Sequence, residues 1–402
     1  MAKTLFSDLP EGMITEVLVR LPVKTVLQCK SVCKPWLSII SNPHFIKSQL
    51  HHAIVASQNN PTLLTLAKPP PTESELLSLS FAQALVPPYP FQFATLAAEL
   101  QHQKKRQLID EALLDVNGQD LSSSPVHFDR VVIPRVFYPH IQIVGSCNGV
   151  ICLSGMGARV IYLWNPSIRQ CKKLDTAPTR QTSSAVDIGF GYDSVSKDYK
   201  VLTVVYEQNA DNYVPVVQVY STNANCWREF WGPILKNSEF WGRTNIVVNG
   251  ILYFASTGRL CSFDLNEEVF GFVPYPSSVK SKKSDVMDFK GSAAMVFESE
   301  FGVDVWTLDD VCGELSWTKK FSIAADPDPE IEIRLSNYLG AGQFCGIKML
   351  NSYIPLYKVL YDYEKKETKI YGLGEGKIQA IVKYIGTLVR LDGFEPVDSD
   401  IN

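Results

Sequence analysis

The chain has 402 residues, 46% of them apolar and 20% charged, with a formal net charge of -4. At roughly 100–200 residues per domain that length predicts two or three domains with a sizeable core, and the acidic balance without a long basic run argues against nucleic acid as a partner. No apolar run reaches the roughly 20 residues that span a bilayer, and "MAKTLFSDLPEG" has no secretory h-region, so neither a membrane nor secretion is expected. Nine scattered cysteines read as buried thiols in a reducing compartment, which predicts the cytoplasm, the nucleus or both.

The first fifty residues read as three short helices. Asp8 with Glu11 three residues on is a weak capping box, and Pro10 is tolerated in a first turn, where its missing N–H has no partner. Met13, Ile14, Val17, Leu18 and Leu21 recur at helical spacing. Pro22 stops that helix and opens the next, "PVKTVLQCK", which puts Val23, Val26 and Leu27 on one side. Ser31 is placed to cap a third, "VCKPWLSIIS", in which Val32, Trp36, Leu37 and Ile40 are apolar. Asn42-Pro43 is expected to end it, because a residue before proline avoids the helical region. Helices this short must pack on one another. Three of them carry more apolar surface than one small core hides, and such a surplus marks a partner site. Periodicity alone also fits a helical hairpin packed on its own downstream domain.

The order of residues along "LPEGMITEVLVRLPVKTVLQCKSVCKPWLSIISNPHF" decides between the two. Leu9-Pro10, Ile14, Leu18, Leu21-Pro22, Val23, Leu27, Val32-Cys33-Lys34 and Trp36 resemble an F-box in residue type and spacing. The resemblance implies an F-box over residues 1–50. It would bind the Skp-type linker subunit of a cullin–RING ubiquitin ligase, with those residues forming or shaping the contact surface.

Beyond it, "PTLLTLAK" and "LLSLSFAQAL" read as strands separated by the proline-rich "KPPPTES". Ala94–Asp115 reads as a helix, with Leu96, Leu100, Ile109 and Leu113 apolar, so a helical insertion is expected near 92–116. Lys104-Lys105-Arg106 within it reads as a solvated face.

From residue 141 the chain repeats. "YLWNPSIRQCKKL", "QVYSTNANCWREF", "CSFDLNEEVFGFV", "DVWTLDDVCGELSWTKKF" and "VLYDYEKKETKIYGL" each hold an apolar strand with an aromatic residue, a polar turn and a second strand. The markers are Trp164, Tyr220, Phe263, Trp306 and Tyr361, separated by 56, 43, 43 and 55 residues. "SCNGVICL", "VVNGILYF" and "FKGSAAMV" add a glycine at a tight bend before an apolar strand. Several short strands per 40–50-residue unit suit a β-propeller blade, whose radial repetition leaves only short edges; a β-sandwich is the alternative. "KIQAIVKYIGTLVRL" is expected to pair with the N-terminal strands and close a ring of six blades.

Residues 140–325 are similar to the F-box-associated interaction domain of plant F-box proteins and distantly to kelch propellers, on "GSCNGVICL", "LWNPSIRQCKKL", "GFGYDSVSKDYKVLTVVY" and "VVNGILYF". The fold expected is therefore α+β and multidomain: a three-helix F-box, then an all-β propeller over 51–402.

No catalytic constellation stands out. The six histidines, His44, His51, His52, His102, His127 and His140, all precede the repeats, so a Ser–His–Asp or Cys–His site inside them has no histidine to use. Cys29 and Cys33 lack two further ligands for zinc. "GFGYD" lacks the phosphate-loop pattern. Asp309-Asp310 and Glu267-Glu268 are expected in solvated turns. No enzyme activity and no cofactor or metal are expected. The resemblances together imply the substrate-recognition subunit of an SCF-type (Skp–cullin–F-box) ligase, with an unidentified target protein on the propeller; a scaffold that binds a partner without directing its degradation is the alternative.

Overall fold

The computed structural model describes residues 9–59, 62–67, 128–132, 141–155, 160–175, 186–209, 212–230, 245–279, 283–311, 314–328, 331–340, 342–350, 354–371 and 378–397. The expected insertion near 92–116, the "LLSLSFAQAL" strand, Asp8, His102, His127 and His140 lie outside them.

Four helices open the chain: α1 (Glu11–Val19), α2 (Val23–Cys29), α3 (Lys34–Ser41) and α4 (Pro43–Asn59). Pro10 and Pro22 each stand immediately before a helix and lend it a carbonyl, accepting from Met13 N at 2.9 Å and from Val26 N at 3.0 Å. The third helix starts later than expected. Ser31 does not cap it; its Oγ donates back to the Gln28 carbonyl at 2.7 Å. Cys33 is the capping position, and Pro35 sits in the first turn.

The fourth helix corrects the three-helix expectation. Asn42-Pro43 does end α3, but it also begins α4. Asn42 Oδ1 accepts from His44 N at 2.8 Å, and Pro43 occupies the first helical position, where a missing N–H costs nothing. This helix crosses residue 50 and ends at Asn59.

Next come β1 (Thr62–Ala67) and β2 (Phe128–Val132), then five antiparallel meanders of four strands. Blade 1 is β3 (Gln142–Cys147), β4 (Val150–Gly155), β5 (Val160–Asn165) and β6 (Gln170–Lys173). Blade 2 is β7 (Val186–Asp193), β8 (Asp198–Asn209), β9 (Asn212–Ser221) and β10 (Cys226–Phe230). Blade 3 is β11 (Asn245–Val248), β12 (Ile251–Ser256), β13 (Arg259–Asp264) and β14 (Phe270–Pro274). Blade 4 is β15 (Lys283–Phe289), β16 (Ser292–Ser299), β17 (Gly302–Val311) and β18 (Glu314–Ala324). Blade 5 is β19 (Ile331–Gly340), β20 (Gln343–Leu350), β21 (Ile354–Asp362) and β22 (Glu367–Tyr371). β23 (Ile378–Tyr384) and the short β24 (Glu395–Pro396) follow, and β24 adds to the outer edge of blade 1 against β6.

The ring does not have six equal blades. Five are regular, and the remaining sector is a three-stranded sheet in the order β2-β1-β23. In it β1 runs antiparallel to β23, pairing Leu63 with Lys383, and parallel to β2, pairing Leu63 with Phe128. The "PTLLTLAK" strand thus meets "KIQAIVKY" as expected, while β2 takes the other side. A parallel pair needs a long connection, and β1 and β2 lie far apart in the sequence. The first strands β3, β7, β11, β15 and β19 and the closing β23 neighbour one another in a cycle.

Apolar side chains fill each gap between neighbouring sheets. Tyr220 packs with Val150 and Leu163 between blades 1 and 2; Phe263 packs with Leu202 and Val219 between blades 2 and 3. Trp306 is half-buried between blades 3 and 4, Tyr361 packs with Phe289 and Val305 between blades 4 and 5, and Trp164 meets Tyr384 across the closing gap. All five markers lie on third strands and face the preceding sheet. Four sit next to the strand's last residue. Trp306 lies five residues before the end of its strand, because β17 runs on to Val311. Asp309 and Asp310 therefore lie in a strand rather than a turn, and Asp309 accepts from Thr307 Oγ1 at 2.8 Å and Lys320 Nζ at 3.0 Å. The glycines of "GFGYD" serve packing: a Cβ on Gly189 would strike Leu252, and one on Gly191 would come within 2.6 Å of Leu265 and Val247.

Each meander repeats the same up-and-down path. Its first-to-second and third-to-fourth turns therefore share one face of the ring, called the near face. The second-to-third turns and the links between blades lie on the far face.

Candidate functional site

The helices form a small core of Leu18, Val23, Val26, Ile39, Ile40 and Phe45, with Ile14, Leu21, Leu27 and Trp36 packed around it. The twelve residues singled out by sequence divide accordingly. Leu18 and Val23 are buried and hold the fold. Ile14, Leu21, Leu27 and Trp36 are half-buried; Leu9, Pro10, Pro22, Val32, Cys33 and Lys34 are exposed. The structure adds Met13, Val17 and Leu37, which the sequence reading placed on the helices as apolar residues but not among the contact residues. Leu9, Met13 and Val17 follow one another at four-residue spacing along the α1 side, 37%, 58% and 46% exposed, and Val32 and Leu37 are 63% and 46% exposed. Helical spacing off the buried face was the signal that could have found them. These five apolar side chains therefore remain in solvent on helices whose other sides are packed.

The same helical core reaches the propeller. Leu388 belongs to it, 3% exposed, and Ile168 from the near-face turn of blade 1 packs against it. The segment after β23 is tied down beneath the helices. Asn165, fully buried, donates from Nδ2 to the Thr387 carbonyl at 3.1 Å and the Val389 carbonyl at 2.8 Å. Its Oδ1 accepts from Tyr384 Oη at 3.1 Å and from Ser167 N at 3.0 Å, and Thr387 Oγ1 donates to the Asn148 carbonyl at 3.1 Å. A buried amide with all its capacity used in this way fixes geometry as well as adding stability. Across the junction Lys30 and Arg390 face each other, and burial followed by the Arg390 charge lowers the Lys30 pKa.

The described residues hold no group of three His, Cys, Asp or Glu side chains placed for a metal ion, and none of their helices is long and apolar enough to cross a membrane. Burial pushes the Cys147, Cys261 and Cys345 thiols up to about 12, which makes them inert packing groups. Cys33 and Cys226 are exposed, against the expectation of buried thiols throughout.

A polar cluster ties blade 2 to blade 3. Lys200, 7% exposed, donates to the Leu265 carbonyl at 2.5 Å and to Glu268 Oε1 at 3.0 Å, with Asp193 Oδ2 at 3.4 Å. Arg228 also reaches Glu268, at 2.5 Å. Burial alone would raise the Asp193 pKa, but hydrogen bonds from Ser196 and Val195 and the Lys200 charge hold it below the usual carboxylate value. Glu268, expected as a solvated turn residue, is instead the partner of two cations.

The comparisons agree with this division. A family model described as the F-box domain matches residues 6–48, and one described as the F-box associated beta propeller domain matches residues 115–385. The chain is an F-box protein and belongs to the F-box associated beta propeller family. An F-box/kelch-repeat protein of Arabidopsis thaliana is 26% identical over 330 residues, covering 79% of each chain. A second F-box protein of that plant is 24% identical over 353 residues, covering 79% of this chain and 72% of its own. The Arabidopsis F-box protein CPR1 is 24% identical over 356 residues, covering 79% and 73%.

Proposed function

We propose that this chain is the substrate-recognition subunit of an SCF-type ubiquitin ligase in the cytoplasm or nucleus. The exposed apolar band of the F-box docks a Skp-type linker subunit, and the propeller holds a target protein. The chain makes no bonds itself. It raises the local concentration of target lysines beside a ubiquitin-charged enzyme. The observation that carries this reading is the band Leu9, Met13, Val17, Val32 and Leu37, left in solvent by helices whose other sides are packed.

Buried apolar and aromatic anchors dominate interface energies. Met13→Glu with Val17→Glu puts two charges into that band without touching the helical core. The pair is expected to weaken linker binding at least about thirtyfold, roughly 2 kcal/mol, in a titration with purified linker subunit. Unchanged affinity overturns the docking assignment. In cells, target half-life should lengthen when the cullin ligase is inhibited; a half-life that does not respond points to the scaffold instead.

A further inference from the structure

Between β23 and β24 the chain forms no helix or strand, yet it is pinned in two directions. Leu388, 3% exposed, belongs to the core of the helices with Val23, Val26 and Ile40. Its neighbours go the other way. Val389, Leu391 and the buried Phe394 join the core between blades 1 and 2, which holds Leu163 and Tyr220. Gly386 runs through the seam: a Cβ there would stand 3.8 Å from Val23 of α2 and 3.4 Å from Ser167 Oγ of the blade 1 turn.

Polar bonds hold the backbone between these pegs. The Asn165 amide donates to the carbonyls of Thr387 and Val389, one on either side of Leu388. The fully buried Thr387 donates to the Asn148 carbonyl. Blade 1 therefore fixes the direction in which Leu388 points. At its far end the segment is anchored by β24, where Glu395 pairs with Cys171 of β6.

Two modules joined by a single connection are free to turn about it. Here a second tie is present. One is α4, which ends at Asn59 just before β1 starts at Thr62; the other is the segment 385–394. Leu388 and Val389 are adjacent in the chain but committed to different cores. Rotating the helices over the ring must draw one of them out, and exposing a buried apolar side chain is unfavourable.

We propose that the segment 385–394 locks the F-box at one attitude to the propeller, with Leu388 as the positioning residue. Leu388 is buried, so it acts through the two modules it joins. The lock fixes where a protein held by the propeller stands relative to a docked linker subunit. That consequence rests on the ligase reading proposed above; the lock itself does not.

The test measures the attitude directly in the full chain. Spin labels are placed on the exposed Cys226 of blade 2 and on Lys47→Cys at an exposed position of α4, with Cys33 and Cys312 replaced by serine. Pulsed electron resonance should give one narrow distance distribution. Leu388→Ala should widen it at least about twofold, and Leu388→Met, which refills the same space, should restore it. Asn165→Ala frees the segment from blade 1 without touching the helical core, and should widen the distribution too. Linker affinity, titrated with the native cysteines in place, should stay the same in all three variants. Should Leu388→Ala lose helical circular dichroism, Asn165→Ala decides. A broad distribution in the parent chain overturns the proposal, as does a narrow one in Asn165→Ala; the latter would mean that α4 alone sets the attitude. A narrow parent distribution in a chain that binds no linker subunit overturns the ligase reading and leaves the lock standing.

Discussion

Gly149 and Gly250 occupy the same place in two blades, yet substitution should separate them. Each follows an asparagine at positive φ in the first-to-second turn, with φ of +81° and +80°. That pairing is the Asn-Gly turn whose twist matches a hairpin. A methyl on Gly250 meets nothing within 4 Å, whereas one on Gly149 strikes Thr387 and comes within 2.6 Å of the Ile385 carbonyl. Gly250→Ala therefore carries only the backbone term, about 1–2 kcal/mol. Gly149→Ala carries that term and displaces the segment under the F-box, so about 2 kcal/mol more is expected. Denaturation midpoints of the two variants measure the difference, and equal midpoints would mean that the segment moves aside freely. Asp187 on β7 supplies a second test at this scale. Burial raises its pKa to about 7, against about 3.9 in an unfolded chain. Between those values the folded state binds more protons, so this group lowers stability as pH rises from about 4 to about 7 and costs a constant amount above. Asp187→Asn removes the charge. It should raise the denaturation midpoint at pH 8 and leave it nearly unchanged at pH 4; the opposite order would mean that the carboxylate is favourably held in the fold.

Among elements, the third-to-fourth turn is the repeated device. The residue after the aromatic marker turns the chain: Asn165, Asp264 and Asp362 accept from the backbone N–H two residues on at 3.0, 2.8 and 3.1 Å. Ser221 does the same job for Ala224 N at 3.0 Å. Aromatic residue, polar cap and turn lie within a few positions of one another, which is why the blades could be read from sequence. Where the device is missing the reading slipped. Trp306 is followed by Thr307 rather than a turn, and the hairpin runs further than its neighbours. The fourth helix was hidden because Asn42-Pro43 is both a stop for one helix and a start for the next, and a local rule reports only one of these. The union of Glu268 with Lys200 joins residues 68 positions apart and leaves no local trace. The role of Asn165 is likewise invisible locally, because its other partners are Tyr384 at the end of β23 and the Thr387 and Val389 carbonyls after it. Its substitution should expose that difference. Asp264→Ala loses two exposed turn bonds, from Asn266 N and Glu267 N, and should cost about 1 kcal/mol, whereas Asn165→Ala takes the donor from the buried Thr387 carbonyl and the half-buried Val389 carbonyl and the acceptor from Tyr384 Oη, and should cost about 3 kcal/mol. Chemical denaturation of the two single variants checks this, and equal costs would mean that these carbonyls find other partners.

For the whole molecule the decisive contact joins its ends. Five blades are consecutive in the chain, but the closing sheet pairs β1 with β23 from opposite ends of the fold. Leu63 there is fully buried with Leu339, Cys345, Leu360 and Ile381. Without β1 the ring has an open edge, which exposes unpaired backbone and this apolar gap. The helices before β1 are a different matter. They touch the propeller through Leu388 and Ile168, a modest surface of the kind that joins separate domains. A chain beginning at residue 60 should thus stay soluble and melt as one cooperative unit while losing the linker subunit. A cut at residue 45 would divide α4, so it is a poorer test. A chain beginning at residue 69 lacks β1 as well, and should melt at least about 10 °C lower or fail to fold, since several kcal/mol of closure are lost in one step. The two chains differ by nine residues, so thermal melts followed by circular dichroism read the closure directly. Equal melts would mean that β1 does not close the ring. Aggregation of the longer chain would make the helices part of the propeller's own core and end their reading as a separate docking module.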